Sequence, residues 1–114
     1  MTQLEYIMIL CTCPDQSSAS RLANLLVEQR LAACVNIIGQ LTSIYRWQDK
    51  IEQTQEHLLL IKSTMHHLET IQTSIKQNHP YELPEIIAVP IVAGLDAYLC
   101  WLRDSTLTSS RGIL

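Results

Sequence analysis

The sequence predicts an α+β fold: a ferredoxin-like βαββαβ domain with an extended β-hairpin and a short C-terminal helix. Apolar and β-branched runs alternate with two stretches of helical periodicity, in the order strand, helix, strand, strand, helix, strand. Two such βαβ halves form a four-stranded antiparallel sheet with helices on one face. The length of 114 residues suits one domain, and 47% hydrophobic residues allow a packed core. We place this domain at 1–104 and a loosely ordered, Ser/Thr-rich tail at 105–114.

The first predicted strand, residues 4–12, is apolar on both faces, which is typical of a central strand. Pro14 ends it, and Asp15 is the predicted N-cap of a helix that ends near Arg30. One face of this helix carries apolar residues at i, i+3, i+4 and i+7: Ala19, Leu22, Ala23 and Leu26. The first and third strands have the most continuous apolar runs, so they are predicted to be the two central strands.

Residues 33–48 and 51–62 predict two long strands, joined by a tight turn at Asp49 and Lys50. Gly39 marks a bulge or bend in the first of them. These strands would span roughly 40–50 Å, whereas helices of about 15 residues cover roughly 22 Å. The hairpin is therefore expected to project, with exposed arms near its turn. A projecting hairpin is marginal alone, so it is predicted to pack on other copies of the chain in a closed ring. Tyr45 and Trp47 are the expected interface anchors.

The second helix is predicted to start at a Ser63 or Thr64 cap and to end near Asn78. Residues 85–93 form another apolar run. Pro90 cannot donate to a strand ladder, so this strand is expected at an edge or with a bulge. Residues 96–103 predict a short closing helix. The apolar face of the second helix is predicted to consist of Leu68, Ile71 and Ile75.

Composition excludes several classes of function. The net charge is −3 with a pI near 5.7, and no basic run occurs, so nucleic acid is not an expected partner. No apolar stretch approaches the roughly 20 residues of a membrane span. The N-terminus lacks the basic segment of a secretory signal, so the cytoplasm is the expected compartment. Signature motifs of hydrolases, metalloproteases and nucleotide-binding enzymes are missing, so the chain is not expected to be an enzyme.

The stretch KQNHPYELPE, residues 76–85, concentrates polar chemistry between two prolines. A ring nitrogen, a phenol and carboxylates on a proline frame are typical of a ligand-facing loop. The adjacent pair His66 and His67 does not fit a shared metal ion, because neighbouring helical side chains point about 100° apart. The four cysteines contain no CxxC pair, and the simplest interpretation is that they are free thiols.

Five motifs together resemble the CutA family of divalent-cation tolerance proteins. They are LCTCPD at 10–15, LAACVN at 31–36, SIYRWQDK at 43–50, HPY at 79–81 with Pro84 and Glu85, and YLCWL at 98–102. Their order and spacing extend the resemblance over about residues 5–103. The resemblance implies a cytoplasmic homotrimer of ferredoxin-like subunits, similar in build to the PII signalling proteins. It also implies a role in tolerance to copper and other divalent cations.

The resemblance further implies a metal site. The family's proposed copper site combines the cysteine of its L-C-T-x-P-D motif with two histidines before Pro-Tyr. Here the matching metal ligands are Cys11 and His79, for Cu(II) or another divalent cation, while the first histidine is replaced by Asn78, a weak ligand. Thiolate and imidazole are donors that copper prefers. Cys13, two residues along the strand, is a possible additional ligand. Asp49 stands where the family usually has glycine.

Three interpretations remain open from the sequence. The first is a trimeric divalent-cation (copper) tolerance protein that binds metal ions weakly. The second is a PII-like signalling or adaptor trimer, which binds a small ligand or protein in inter-subunit clefts lined by Asn78, Tyr81 and Glu85. The third is a structural trimer whose metal response is incidental, because Cu(II) heads the affinity order for almost any site.

Overall fold

A computed structural model describes residues 5–107 of the chain. The predicted order of helices and strands is confirmed. The elements are β1 (Tyr6–Cys13), α1 (Gln16–Glu28), β2 (Cys34–Trp47), β3 (Lys50–Thr64), α2 (Leu68–Asn78), β4 (Ile87–Pro90) and α3 (Asp96–Ser105), with a 3₁₀ turn at Met65–His67 before α2.

The four strands form one antiparallel sheet in the order β2-β3-β1-β4. β1 and β3 are the central pair, as their apolar runs predict. They pair along the whole of β1, from Tyr6 opposite Thr64 to Cys13 opposite His57. β4 is an edge strand that ends at Pro90, which confirms the position expected for a residue without an N–H donor.

The core lies between this sheet and helices α1 and α2. Alternate side chains of β1 point toward the helices, so Ile7, Ile9 and Cys11 are all buried. The predicted apolar faces of both helices pack here, and burial of each large aliphatic side chain contributes about 1.5–3 kcal/mol. The buried cluster comprises Ile7, Ile9, Cys11, Cys13, Ala19, Leu22, Leu26, Leu31, Ala32, Leu59, Ile61, Ile71 and Ile75.

Helix capping agrees with the prediction at one helix and differs at the other. Asp15 caps α1, and its Oδ1 accepts the Ser18 N–H over 2.7 Å. The predicted cap Ser63 is wrong, because it lies within β3 and is buried. Thr64, the last residue of β3, does occupy the N-cap position of the 3₁₀ turn before α2, but its side chain makes no capping hydrogen bond. The Ser63 hydroxyl instead donates to the Leu31 carbonyl over 2.6 Å. Pairing with β1 prolongs the strand, and a 3₁₀ turn then leads into α2.

The hairpin of β2 and β3 gives the molecule its elongated shape of 50 × 27 × 24 Å. Gln48 and Asp49 both have positive φ, 50° and 65°, as the central residues of a type I′ turn require. The turn therefore lies one residue earlier than predicted, and Lys50 is already the first residue of β3.

Gly39 lies in the β2 bulge, where the register shifts between Ile38 and Leu41. This confirms the predicted irregularity. A Cβ at this position would be only 2.7 Å from Cδ2 of His57. The imidazole of His57 on the next strand lies directly against the backbone here, so the position favours glycine. Nδ1 of that imidazole is buried without a hydrogen-bond partner among residues 5–107.

The closing helix is slightly longer than predicted. α3 includes Ser105, and Thr106 beyond it is buried, with its hydroxyl donating to the carbonyls of Leu102 and Arg103. Residues 108–114 of the predicted tail lie outside the described residues. None of the helices within 5–107 is both long and apolar enough to cross a membrane.

Candidate functional site

The three predicted metal ligands Cys11, Cys13 and His79 meet at the end of β1. Their sulfur atoms and a ring nitrogen of the histidine all lie within 4.8 Å of one another. Among residues 5–107 this is the only group of three or more His, Cys, Asp or Glu side chains arranged closely enough to hold a metal ion. All three residues are buried.

Local structure explains why these residues meet. Positions i and i+2 of a strand share a face, so Cys11 and Cys13 both point toward the helices. His79 follows the last residue of α2, and its extended backbone, with φ −95° and ψ 140°, turns the chain toward the end of β1. Sγ of Cys13 lies 3.7 Å from Nε2 of His79.

Two backbone groups fix the proton on the His79 ring. Nδ1 accepts the N–H of Tyr81 over 3.0 Å, because an amide nitrogen can only donate. Nε2 lies 2.8 Å from the carbonyl oxygen of Thr12, which can only accept, so Nε2 carries the proton. The neutral ring thus has no free lone pair, and binding of a metal through Nε2 would require loss of the hydrogen bond to Thr12.

The two thiols differ in acidity. The close approach of the Cys11 and Cys13 sulfur atoms is the main cause, and it acts in opposite directions on the two pKa values. It raises the pKa of Cys11, to which burial adds, and it lowers the pKa of Cys13. Since the thiolate is the metal-binding form, Cys13 is the better first ligand of the pair.

A second feature lies beside this cluster: a cleft of about 720 Å³ between the hairpin and the segment that follows α2. Its volume is typical of small-molecule sites. The buried residues Thr12 and Glu56 form its floor. The remaining lining residues are Ser43, Ile44, Tyr45 and Trp47 from the hairpin, and Pro80, Tyr81, Glu82, Leu83 and Glu85 from the segment.

Glu56 and Tyr81 form the polar centre of the cleft. The Tyr81 hydroxyl donates to Oε2 of Glu56 over 2.7 Å. Burial raises the pKa of Tyr81, and the hydrogen bond to Glu56 and its negative charge raise it further. Glu56 is only 7% exposed, so the prediction of exposed hairpin arms is wrong at this position. The polar residues 52–57 gave no indication that Glu56 is buried, because Tyr81, which covers it, comes from a distant segment of the chain.

Of the three predicted cleft residues, Tyr81 and Glu85 line the cleft. Tyr45 and Trp47, which were predicted as interface anchors, line it as well. Asn78 does not; its side-chain amide donates to the Ser74 carbonyl within α2 over 2.8 Å.

Residues 7–105 match the family model described as CutA1 divalent ion tolerance protein. The chain belongs to the CutA1 family. The divalent-cation tolerance protein CutA of Thermus thermophilus is 50% identical over 99 residues, which cover 87% of this chain and 96% of that protein. The CutA of Pectobacterium atrosepticum is 46% identical over 99 residues, which cover 87% and 90% of the two chains. These CutA1 relatives are named for ion tolerance and not for a catalysed reaction.

Solved CutA1 structures share the fold. The Thermus thermophilus protein has a TM-score of 0.88 at 48% identity, covering 90% of this chain and 99% of its own. CutA1 from Oryza sativa has a TM-score of 0.89 at 38% identity, covering 94% and 98%. A homologue from Archaeoglobus fulgidus, with a TM-score of 0.87 at 33% identity over 90% and 99% of the chains, is named a periplasmic divalent cation tolerance protein. Family membership therefore does not fix the compartment.

Proposed function

We propose that this CutA1 chain acts in divalent-cation tolerance as a cytoplasmic homotrimer. In this proposal it binds Cu(II) or another borderline divalent ion at Cys11, Cys13 and His79. The observation that supports the site is the mutual approach of two sulfur atoms and a ring nitrogen within 4.8 Å. Sulfur and imidazole nitrogen are the donors that copper and zinc favour.

The same geometry makes the binding weak. His79 has to give up its hydrogen bond to Thr12 before Nε2 can bind an ion. The Cys11 thiol has to lose a proton that its environment retains. Both changes oppose metal binding, so the site suits an ion that is bound and released and not a permanent structural metal.

Calorimetric titration with Cu(II) tests this site, with Zn(II) as a probe that has no redox chemistry. Cys13→Ala should weaken binding of both ions by at least about tenfold. The matched control is Cys100→Ala, which removes an exposed thiol on α3. Equal losses in the two variants would identify adventitious thiol binding, and no loss in either would refute the proposed ligands.

Exposed apolar surface supports the assembly. The hairpin projects, with Tyr45 and Trp47 about half exposed on it. Apolar surface of this extent on one chain is typical of an interaction site. The number three comes from the family resemblance, and light scattering on the purified chain tests it directly. Other large apolar residues that are more than 60% exposed are Ile44, Ile51, Leu83, Val92 and Leu95.

A second candidate function is favoured by the cleft: a PII-like signalling or adaptor role in which a small ligand or protein binds there. A buried carboxylate and a partly buried phenol inside a space of about 720 Å³ support it. A neighbouring subunit packed on the hairpin would make this an inter-subunit cleft. A thermal-shift screen of nucleotides, carboxylates, amines and metals separates the two functions, because only the metals should depend on Cys13.

A further inference from the structure

The charges of the cleft have one sign. Glu56, Glu82 and Glu85 line it, and within residues 5–107 no lysine, arginine or histidine does. Carboxylates in a recess with apolar walls concentrate negative potential there. A nucleotide, a phosphate or a carboxylate ligand would meet repulsion at every charged group of the lining. The electrostatics therefore favour a cation.

The spacing of these carboxylates argues against a metal ion. Within residues 5–107, the only cluster compact enough to hold one is Cys11, Cys13 and His79. The three glutamates do not form such a group. A ligand that pairs with more than one of them has to extend through the cleft, which an organic molecule does and a single ion does not.

Glu56 supplies an acceptor that is not fully used. The residue is only 7% exposed, and it lines the cleft. Oε2 accepts the hydroxyl of Tyr81. Oε1 has no hydrogen-bond partner among residues 5–107, and it is not one of the fully buried atoms that lack a partner, so it is accessible. An N–H donor from a ligand in the cleft would give this oxygen a charge-assisted hydrogen bond.

Aromatic rings line the same cleft as this carboxylate. Tyr45, Trp47 and Tyr81 all line the cleft. The face of an aromatic ring, above all of tryptophan, attracts an ammonium or guanidinium group. The rings also provide apolar surface for methylene groups between charged nitrogens. Carboxylates and aromatic rings in one recess thus favour the same class of ligand.

We propose that the cleft binds a small organic cation with primary amines, of the polyamine class. One ammonium group pairs with Oε1 of Glu56, the carbon chain lies between Tyr45 and Trp47, and a further ammonium group pairs with Glu82 or Glu85 at the exposed side. This inference rests on the second candidate function, the small-ligand cleft, and names its ligand class. It is independent of the metal site.

Spermidine is the probe, titrated into the full chain by calorimetry, with ATP as the anionic comparison. Glu56→Gln keeps the size of the side chain and an acceptor for Tyr81 while it removes the charge, and it should weaken spermidine binding by roughly tenfold or more. Glu85→Gln, on the exposed segment, should weaken binding by a smaller factor without any risk to folding. Glu69→Gln on α2 is the matched control and should leave binding unchanged.

The outcomes distinguish the proposed cationic ligand from the small-ligand cleft in general. Spermidine binding that falls in both cleft variants, stays constant in the control and survives Cys13→Ala supports the proposal. Binding of ATP without spermidine would overturn the cationic ligand and leave the small-ligand cleft standing. Binding of neither would overturn the proposal, and the wider thermal-shift screen would then decide on the small-ligand cleft. Spermidine binding that is equal in all variants would show attraction to the acidic surface at large and would also overturn the proposal.

Discussion

Nε2 of His79 lies 2.8 Å from the carbonyl oxygen of Thr12. This bond ties the end of α2 to the end of β1, and the Tyr81 N–H on Nδ1 fixes the start of the segment that lines the cleft. The histidine that the metal proposal needs is thus also a structural link between the two candidate sites.

Replacement of His79 by alanine should therefore reduce stability even without metal. The Thr12 carbonyl and the Tyr81 N–H lose their hydrogen-bond partner. We expect this to lower the free energy of unfolding by about 2–4 kcal/mol. Urea denaturation in the presence of a chelator measures this. His66→Ala, at an exposed position, is the control and should change stability by less than about 0.5 kcal/mol. Similar values for both variants would contradict the structural role.

Gly39→Ala should destabilise the hairpin, because the new Cβ would lie 2.7 Å from the His57 ring. We expect a loss of about 1–3 kcal/mol in the free energy of unfolding. The double variant with His57→Ala should recover most of this loss, since the clashing ring is gone. A double-mutant cycle measures the coupling, and additive losses would show that the contact with His57 is not the cause.

Asp49→Gly should stabilise the protein. Asp49 has φ 65° at the second central position of the hairpin turn, where glycine has no steric penalty. The expected gain is roughly 0.5–1 kcal/mol, because the greater flexibility of the unfolded glycine offsets part of the relief. Thermal unfolding at fixed protein concentration measures it. Glu52→Gly, within a paired part of β3, should have the opposite sign, and destabilisation by both changes would refute the strain argument.

The contribution of Tyr81 to the stability of the fold should decrease at alkaline pH. Its pKa is raised above the ordinary value of 10.0 in the folded chain, so the folded state keeps the phenol proton where the unfolded state loses it. The contribution is complete below about pH 10 and decreases as the pH rises further. Tyr81→Phe should be less stable by about 1–2 kcal/mol near neutral pH, and its difference from the unaltered chain should shrink above about pH 10. Denaturation across this range measures the difference, and a constant value would contradict the assignment.

Local signals in the sequence were sufficient for most of the fold. Asp15 follows a proline and precedes a helical period, so its role as a cap depends on neighbouring residues only. Pro90 has no N–H to donate, so it favours an edge position for its strand whichever strand it pairs with. Features of this kind are encoded within a few residues, and the structure agrees with them.

Features that depend on distant pairing were not predictable in the same way. Thr64 resembles a helix cap, yet its pairing with Tyr6, 58 positions earlier, keeps it in β3. Glu56 resembles an exposed hairpin residue, yet Tyr81 covers it. The proton position on His79 depends on Thr12, which no spacing pattern connects to it. These details of the candidate site depend on long-range contacts, so they were predicted less completely.

The position of β1 in the sheet has a consequence for synthesis on the ribosome. This strand emerges first, but its partners are β3 and β4, which follow about 50 and 80 residues later. The hairpin of β2 and β3 is local and can form early. β1 remains an unpaired apolar segment until β3 has been synthesised. Such a segment is prone to aggregation until it is paired. In the nascent chain, α1 is therefore the first element that can cover the apolar side chains of β1. It has to do so until β4, which ends at Pro90, has been synthesised.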